Sequence, residues 1–210
     1  MTSILVPGPD GRPRCWWGVG SDEVYLRYHD EEWGRPVTDD RGLFEMLVLE
    51  GFQAGLSWST ILRKRPAFRA AFAGFDPVVV AGFGEADVEG LLGDAGIVRH
   101  RGKIEAAVAN ARAARAVAGE MGSLAACFWP RAVPDAPAPE SMADIPGQTP
   151  ESRSLSRELK GRGFRFVGPT IVYAFMQAVG VVNDHARGCV VRPAIEEERR
   201  VVLRRFAASG

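Results

Sequence analysis

The sequence predicts an all-α protein. Three observations carry this prediction: apolar residues recur at helical spacing behind Ser, Thr or Asp caps, Gly and Pro punctuate the stretches between them, and there is neither an internal repeat nor a clear period-2 run. At 210 residues the chain is long enough for one domain with a core, or for two small lobes around a cleft. Lys plus Arg and Asp plus Glu both number 26, so no global basic field draws nucleic acid and any DNA binding must use a local patch. Met1 to Pro7 lacks the basic start and apolar run of a secretory signal, and the most apolar stretch, Pro169 to Val182, is too short to cross a bilayer. A cytoplasmic protein is expected.

Residues 1–14, rich in Gly and Pro, read as a flexible leader, 15–190 as the folded domain, and 191–210 as an Arg/Glu-rich tail, best taken as a solvated helix. Ser21 and Asp22 offer N-caps for a helix running through Tyr25, Tyr28 and His29 to Trp33. Thr38 to Asp40 caps a helix with apolar Leu43, Phe44, Leu47 and Val48 that ends near Gly51. Ser57 caps the next, with Trp58 in its first turn, and Asp76-Pro77 supplies the cap and first-position Pro of another. Glu85 to Asp94 and Lys103 to Ala118 read as helices separated by a Gly-bounded turn. Residues 130–150, dense in Pro, read as an irregular surface loop. Thr149-Pro150 opens a helix broken by Gly161 and Gly163, and Gly168-Pro169 opens an apolar helix ending near Asn183 to His185.

The chemistry centres on Leu49 to Trp58. Within ten residues this stretch holds the carboxylate of Glu50, a Gly-bracketed polar turn and the large aromatic Trp58, the makings of a pocket for something flat and cationic. The competing reading makes Glu50 the end of a surface helix and Trp58 a core residue with its N–H satisfied. A carboxylate in a last helical turn faces the negative end of the helix dipole, which argues for a use other than stability.

His185 and Cys189 are four residues apart, and Cys15 and His29 offer a second pair near the other end of the chain. Cys₂His₂ is a closed tetrahedral zinc set without room for a bound water, so a zinc there would be structural and would clamp the chain ends together. The alternative is two buried thiols and two satisfied histidines. The turn from Gly96 to Gly102 fits a helix-hairpin-helix, in which glycines let backbone N–H groups approach a phosphate while Arg99, Arg101 and Lys103 add local positive charge. An ordinary helix corner with a solvated basic face is the alternative there.

Taken together these pieces resemble the type I DNA-3-methyladenine glycosylases, zinc-containing members of the helix-hairpin-helix superfamily. The matching stretches are Tyr28-His29-Asp30-Glu31-Glu32-Trp33-Gly34, Leu49-Glu50-Gly51 with Gln53 to Trp58, Asp94 to Ile97 with Arg99 to Ile104, Arg162-Gly163-Phe164 with Phe166 to Gly168, and Phe175 to Ala178 with Val182 to His185. The resemblance runs from about Cys15 to Cys189. It implies two helical lobes around a base-binding cleft, with the termini joined by a structural Zn²⁺ on Cys15, His29, His185 and Cys189, leaving out Cys127 and His100. It places the pocket carboxylate, the catalytic candidate, on Glu50 and the aromatic walls on Trp58, Tyr28, Trp17 and Trp33. Gly55 and Leu56 match the segment that presses into the gap left by a flipped nucleotide, and Gly96, Arg99, Arg101, Gly102 and Lys103 match the backbone anchor. The leader and tail are not covered, and Phe52 stands where a polar residue is expected.

The implied activity is hydrolysis of the N-glycosidic bond of 3-methyladenine in alkylated duplex DNA, releasing the free base with no obligate protein partner. The superfamily commonly carries a catalytic Asp downstream of the hairpin, yet no Asp occurs between Ala95 and Pro134, which fits a site acting on already activated bases. Competing readings are a glycosylase and lyase using Lys103 as a Schiff-base nucleophile, a non-catalytic DNA-binding module, and a zinc hydrolase with Glu50 as base.

Overall fold

A computed structural model describes residues 3–19, 22–134 and 136–207. In chain order its elements are a short antiparallel pair, β1 (Leu5–Pro7) and β2 (Pro13–Cys15), then helices α1 (Glu23–Glu31), α2 (Asp40–Gln53), α3 (Trp58–Ala71), α4 (Pro77–Val80), α5 (Glu85–Gly93), α6 (Arg101–Met121), α7 (Leu124–Phe128), α8 (Pro150–Gly161), α9 (Pro169–Ala178) and α10 (Arg192–Ala207). The molecule is built around α2, whose residues from Leu43 to Phe52 are all buried. A helix apolar on nearly every side has to be enclosed, and α3, α6, α7 and α9 pack around it.

Most boundaries follow their caps. The side chains of Asp22, Asp39, Ser57, Asp76 and Thr149 each accept a hydrogen bond from a backbone N–H in the first turn of α1, α2, α3, α4 and α8. Ser21, the other expected cap of α1, lies outside the described residues. Helix α6 begins at Arg101, two residues before expectation, because His100 Nδ1 accepts from Lys103 N at 3.3 Å and acts as the cap. Helix α7, in a stretch without an expected element, is only five residues long. Helix α9 stops at Ala178, short of the expected end. Gly180 turns the chain with φ +79°, and a Cβ there would lie 2.6 Å from Gly34 O, so only glycine fits this approach.

Two segments differ from expectation. The leader, expected to be loose, contains the hairpin of β1 and β2, and Ile4 and Leu5 pack against Cys15, Ala186 and Cys189. Arg14, buried, explains the order: its guanidinium donates to Asp10 Oδ1 at 2.6 Å and to Asp30 Oδ2 at 2.9 Å, joining hairpin to α1. The tail is not a wholly solvated helix. On α10, Ile195 and Arg199 are buried, and Arg199 donates to Gly180 O (2.8 Å) and Val181 O (3.1 Å), capping the turn after α9.

Candidate active site

Where α1, α2, α3 and α9 meet there is a cavity of about 260 Å³, below the roughly 300–1,000 Å³ of drug-sized sites and suited to a single heterocycle. Trp17, Tyr28, Trp33, Glu50 and Trp58, far apart in sequence, all line it. The last turn of α2 brings Glu50, the Ser57 cap starts α3 so that Trp58 enters the wall, and the turn Trp16–Gly18 brings Trp17. The rings contact one another: Tyr28 and Trp58 centroids are 5.5 Å apart, and Trp17 lies edge-on to Trp33 at 4.7 Å.

Polar groups in this wall lack partners among the described residues. Glu50 is 5% exposed, and its carboxyl makes no hydrogen bond or ion pair among the described residues. Desolvation pushes its pKa up to about 8. The indole N–H of Trp58 is buried without an acceptor among the described residues. A buried N–H left unpaired costs on the order of 1–3 kcal/mol, so Trp58 is not the satisfied core residue of the competing reading. The unpaired carboxyl thus lies among a cage of rings, one of which carries the unpaired N–H.

Beside the cavity, ligand atoms of Cys15, His29, His185 and Cys189 lie within 4.8 Å of one another, all four residues buried. Cys189 Sγ is 3.5 Å from His185 Nδ1 and 3.6 Å from His29 Nε2, and Cys15 Sγ is 3.6 Å from His185 Nδ1. A zinc tetrahedron with Zn–S near 2.3 Å and Zn–N near 2.0 Å places sulfur and nitrogen about 3.5 Å apart. The remaining ring nitrogens are occupied: His29 Nδ1 donates to Asp30 Oδ1 at 2.7 Å, and His185 Nε2 to Trp33 O at 2.9 Å. Lone pairs are thereby turned toward the sulfurs, as metal-binding histidines require. A hydrogen bond from the Cys15 thiol holds the Cys189 thiol far below its ordinary range. The donor set fits the ion. Its rings also back the cavity, since His29 lies 5.2 Å from Trp17 and His185 4.6 Å from Trp33.

The turn between α5 and α6 gathers Gly96, Arg99, Arg101, Gly102 and Lys103, but differently for each. The N–H groups of Arg101 and Gly102, first in α6, make no hydrogen bond among the described residues, whereas Gly96 N donates to Asp94 Oδ1 at 2.7 Å. Arg99 is exposed and pairs with no carboxylate among the described residues, while Arg101 is paired with Glu85, Glu89 and Glu105. Lys103 is buried, its ammonium donating to Phe52 O (2.8 Å) and Ala54 O (2.6 Å), so it ties α6 to the loop after α2. On that loop Gly55 has φ +83° with nothing near its Cβ position, and Leu56 is 41% exposed.

A family model described as methyladenine glycosylase matches residues 16–192. The chain belongs to the methyladenine glycosylase family. It is 50% identical over 182 residues to DNA-3-methyladenine glycosylase 1 of Escherichia coli strain K12, covering 86% of this chain and 97% of that protein. The fold is similar to the crystal structure of a 3-methyladenine DNA glycosylase I (TM-score 0.81, 52% identity, 84% of this chain and 98% of the other). It is also similar to a variant of 3-methyladenine DNA glycosylase I in complex with 3-methyladenine (TM-score 0.79, 36% identity, 83% and 95%).

The cavity of this methyladenine glycosylase extends beyond the residues assigned to it from the sequence. Tyr25, Gln53, Met142, Ile145, Ala174 and Gln177 also line the cavity. Tyr25 had a signal, its helical spacing to Tyr28 and His29. Met142 and Ile145 belong to the Pro-rich loop and reach the wall only because that loop folds back. Gln177 is oriented by Asp184, whose Oδ2 accepts from its Nε2 at 2.7 Å and also from the Tyr173 hydroxyl.

Proposed function

We propose that this methyladenine glycosylase flips 3-methyladenine out of duplex DNA into the cavity and hydrolyses its N-glycosidic bond. The observation that carries this reading is the unpartnered Glu50 carboxyl, buried among aromatic faces. A methylated adenine stacks and pairs poorly, so extruding it costs less than extruding a normal base. While attached to the sugar it is also cationic. The faces of Trp58 and Tyr28 attract it through cation–π contact, and Glu50 supplies the missing counter-charge. Neutral adenine offers neither interaction and leaves Glu50 protonated.

The positive charge already weakens the glycosidic bond. As that bond breaks, its electron pair goes to the base, which leaves neutral, and water adds to the oxocarbenium-like sugar carbon and loses a proton. Ionised Glu50 stabilises the charge at this stage without having to protonate the leaving group. Lys103 is absent from the cavity lining and its ammonium is tied to two carbonyls, which leaves the lyase reading without support.

The same reading makes Cys15, His29, His185 and Cys189 the holders of one structural Zn²⁺, which supplies a link between the chain ends and takes no part in bond breaking. The α5–α6 turn then serves as a helix-hairpin-helix anchor, with the free N–H groups of Arg101 and Gly102 on a phosphate. Gly55 and Leu56 occupy the gap in the stack.

The test is chromatographic identification of bases released from methylated duplex DNA by the parent protein and by Glu50→Gln. Release of 3-methyladenine, reduced at least about 100-fold in a folded variant, is expected. No release by folded, zinc-loaded parent protein refutes the reading. Metal analysis should find one zinc per chain, and Cys189→Ser should lower thermal stability before it lowers activity per folded molecule.

A further inference from the structure

The segment between α8 and α9, residues 162–168, has no role in the site described so far. Phe166 is a large aromatic at 36% exposure, and its φ is +52°, a left-handed conformation that non-glycine residues rarely adopt and that costs on the order of 1–3 kcal/mol. Exposure and strain together are unusual for an aromatic side chain kept for the fold alone.

The backbone beneath it is nevertheless held firmly. Asn110 on α6, buried, takes both polar groups of the preceding residue: Arg165 N donates to Asn110 Oδ1 at 2.7 Å, and Asn110 Nδ2 donates to Arg165 O at 3.0 Å. Ser156 on α8, also buried, donates to Val167 O at 2.6 Å. Two buried polar side chains from different helices thus keep an exposed ring in a strained pose. Such over-determined strain is characteristic of recognition elements.

Its position adds a direction. The Phe166 ring is 6.4 Å from the imidazole of His100, the cap of α6 at the hairpin turn, and a Cβ at Gly51 would lie 3.4 Å from Phe166 Cβ. Phe166 and Lys103 line one small cavity between α2 and α6, and Lys103 in turn holds the carbonyls below Gly55 and Leu56. The three loops therefore adjoin. Arg165 is exposed and, like Arg99 across the turn, pairs with no carboxylate among the described residues. In a chain with no net charge, unneutralised cations flanking an exposed ring form the local patch that a phosphate backbone needs.

We propose that residues 163–167 form a third DNA-contacting element, in which Phe166 packs against a base or sugar unstacked beside the extruded nucleotide and Arg165 engages a flanking phosphate. This rests on the glycosylase reading above. The element adds to strand grip and leaves recognition of the base in the cavity unchanged.

The experiment compares the parent with Phe166→Gly, Phe166→Trp and Arg165→Ala in two titrations: a duplex carrying a tetrahydrofuran abasic-site analogue across a salt series, and free 3-methyladenine followed by quenching of tryptophan fluorescence. Glycine suits the positive φ, so Phe166→Gly removes the ring without disturbing the fold. Duplex affinity should fall about tenfold in Phe166→Gly and be retained in Phe166→Trp, and the slope of log affinity against log salt should drop by about one in Arg165→Ala. Free-base binding should be unchanged in all three. Parental duplex affinity in Phe166→Gly, or a loss matched by loss of free-base binding, overturns the proposal. A parent that releases no base from methylated DNA overturns the glycosylase reading, and the proposal with it.

Discussion

Helix α2 buries two glutamates five positions apart and treats them in opposite ways. Glu45 is 7% exposed and accepts from Arg65 Nε at 2.6 Å and from Arg69 Nε at 2.8 Å. Glu50 is 5% exposed and has no cation or donor among the described residues. Exposure is nearly equal for the two, so the partner is what distinguishes them. A carboxylate kept for the fold has its counter-charge built in; one kept for a ligand has it left out, and the ligand brings it.

The largest consequence is the pH dependence of Glu50. Its pKa rises from 4.5 in the unfolded chain to about 8 in the fold, so the native state holds this proton more tightly. The contribution to stability is fully present below pH 4.5 and is lost as pH rises through about 8. At about 1.4 kcal/mol for each tenfold step in proton affinity, that is on the order of 4–5 kcal/mol. Chemical denaturation at pH 5 and pH 9 should show Glu50→Gln free of most of this loss. Activity moves the other way, because a cationic base needs the ionised form. The kcat/KM of the parent should rise about tenfold between pH 6.5 and 8, and a flat profile would break the contrast.

Glu45→Gln should give the reverse pattern. It leaves two guanidinium groups without their shared counter-charge; Arg65 keeps Glu32, and because Arg69 is half-exposed, its loss is partly screened. A drop of about 2 kcal/mol in unfolding free energy is expected, with base release per folded molecule unchanged. If Glu45→Gln lost activity as Glu50→Gln does, the two carboxyls would be one network and the comparison would fail.

This contrast could be only half read in the sequence. The position of Glu50 on the last turn of a capped helix was legible, as were the caps of α1, α2, α3, α4 and α8, because Ser, Thr and Asp act locally. The coming together of Cys15, His29, His185 and Cys189 was legible because thiols and imidazoles are few. What depends on tertiary contact was not. The pairing of Glu45 needs Arg65 and Arg69 from α3. The hairpin of β1 and β2 has three-residue strands containing Pro7 and Pro13, too short to show alternation. Lys103, in a Gly-bounded basic turn, reads as a surface cation and is instead buried on carbonyls. A buried Arg199 in a tail rich in charge has no signature at all.

Trp58 extends the comparison to a neutral group and gives the smallest effect. Two contributions oppose each other in Trp58→Phe. The smaller ring loses packing in a wall where Trp58 is 8% exposed, which destabilises. The substitution also removes a buried N–H without an acceptor, which relieves on the order of 1–3 kcal/mol. Thermal stability should therefore change by less than about 1 kcal/mol, an unusually small effect for truncating a buried tryptophan. If the N–H awaits an acceptor on the base, affinity for 3-methyladenine should fall about fivefold, close to the net worth of one hydrogen bond. Calorimetry of both quantities in one variant separates the outcomes. A stability loss above about 2 kcal/mol with unchanged affinity would make Trp58 an ordinary core residue and leave the contrast to Glu50 alone.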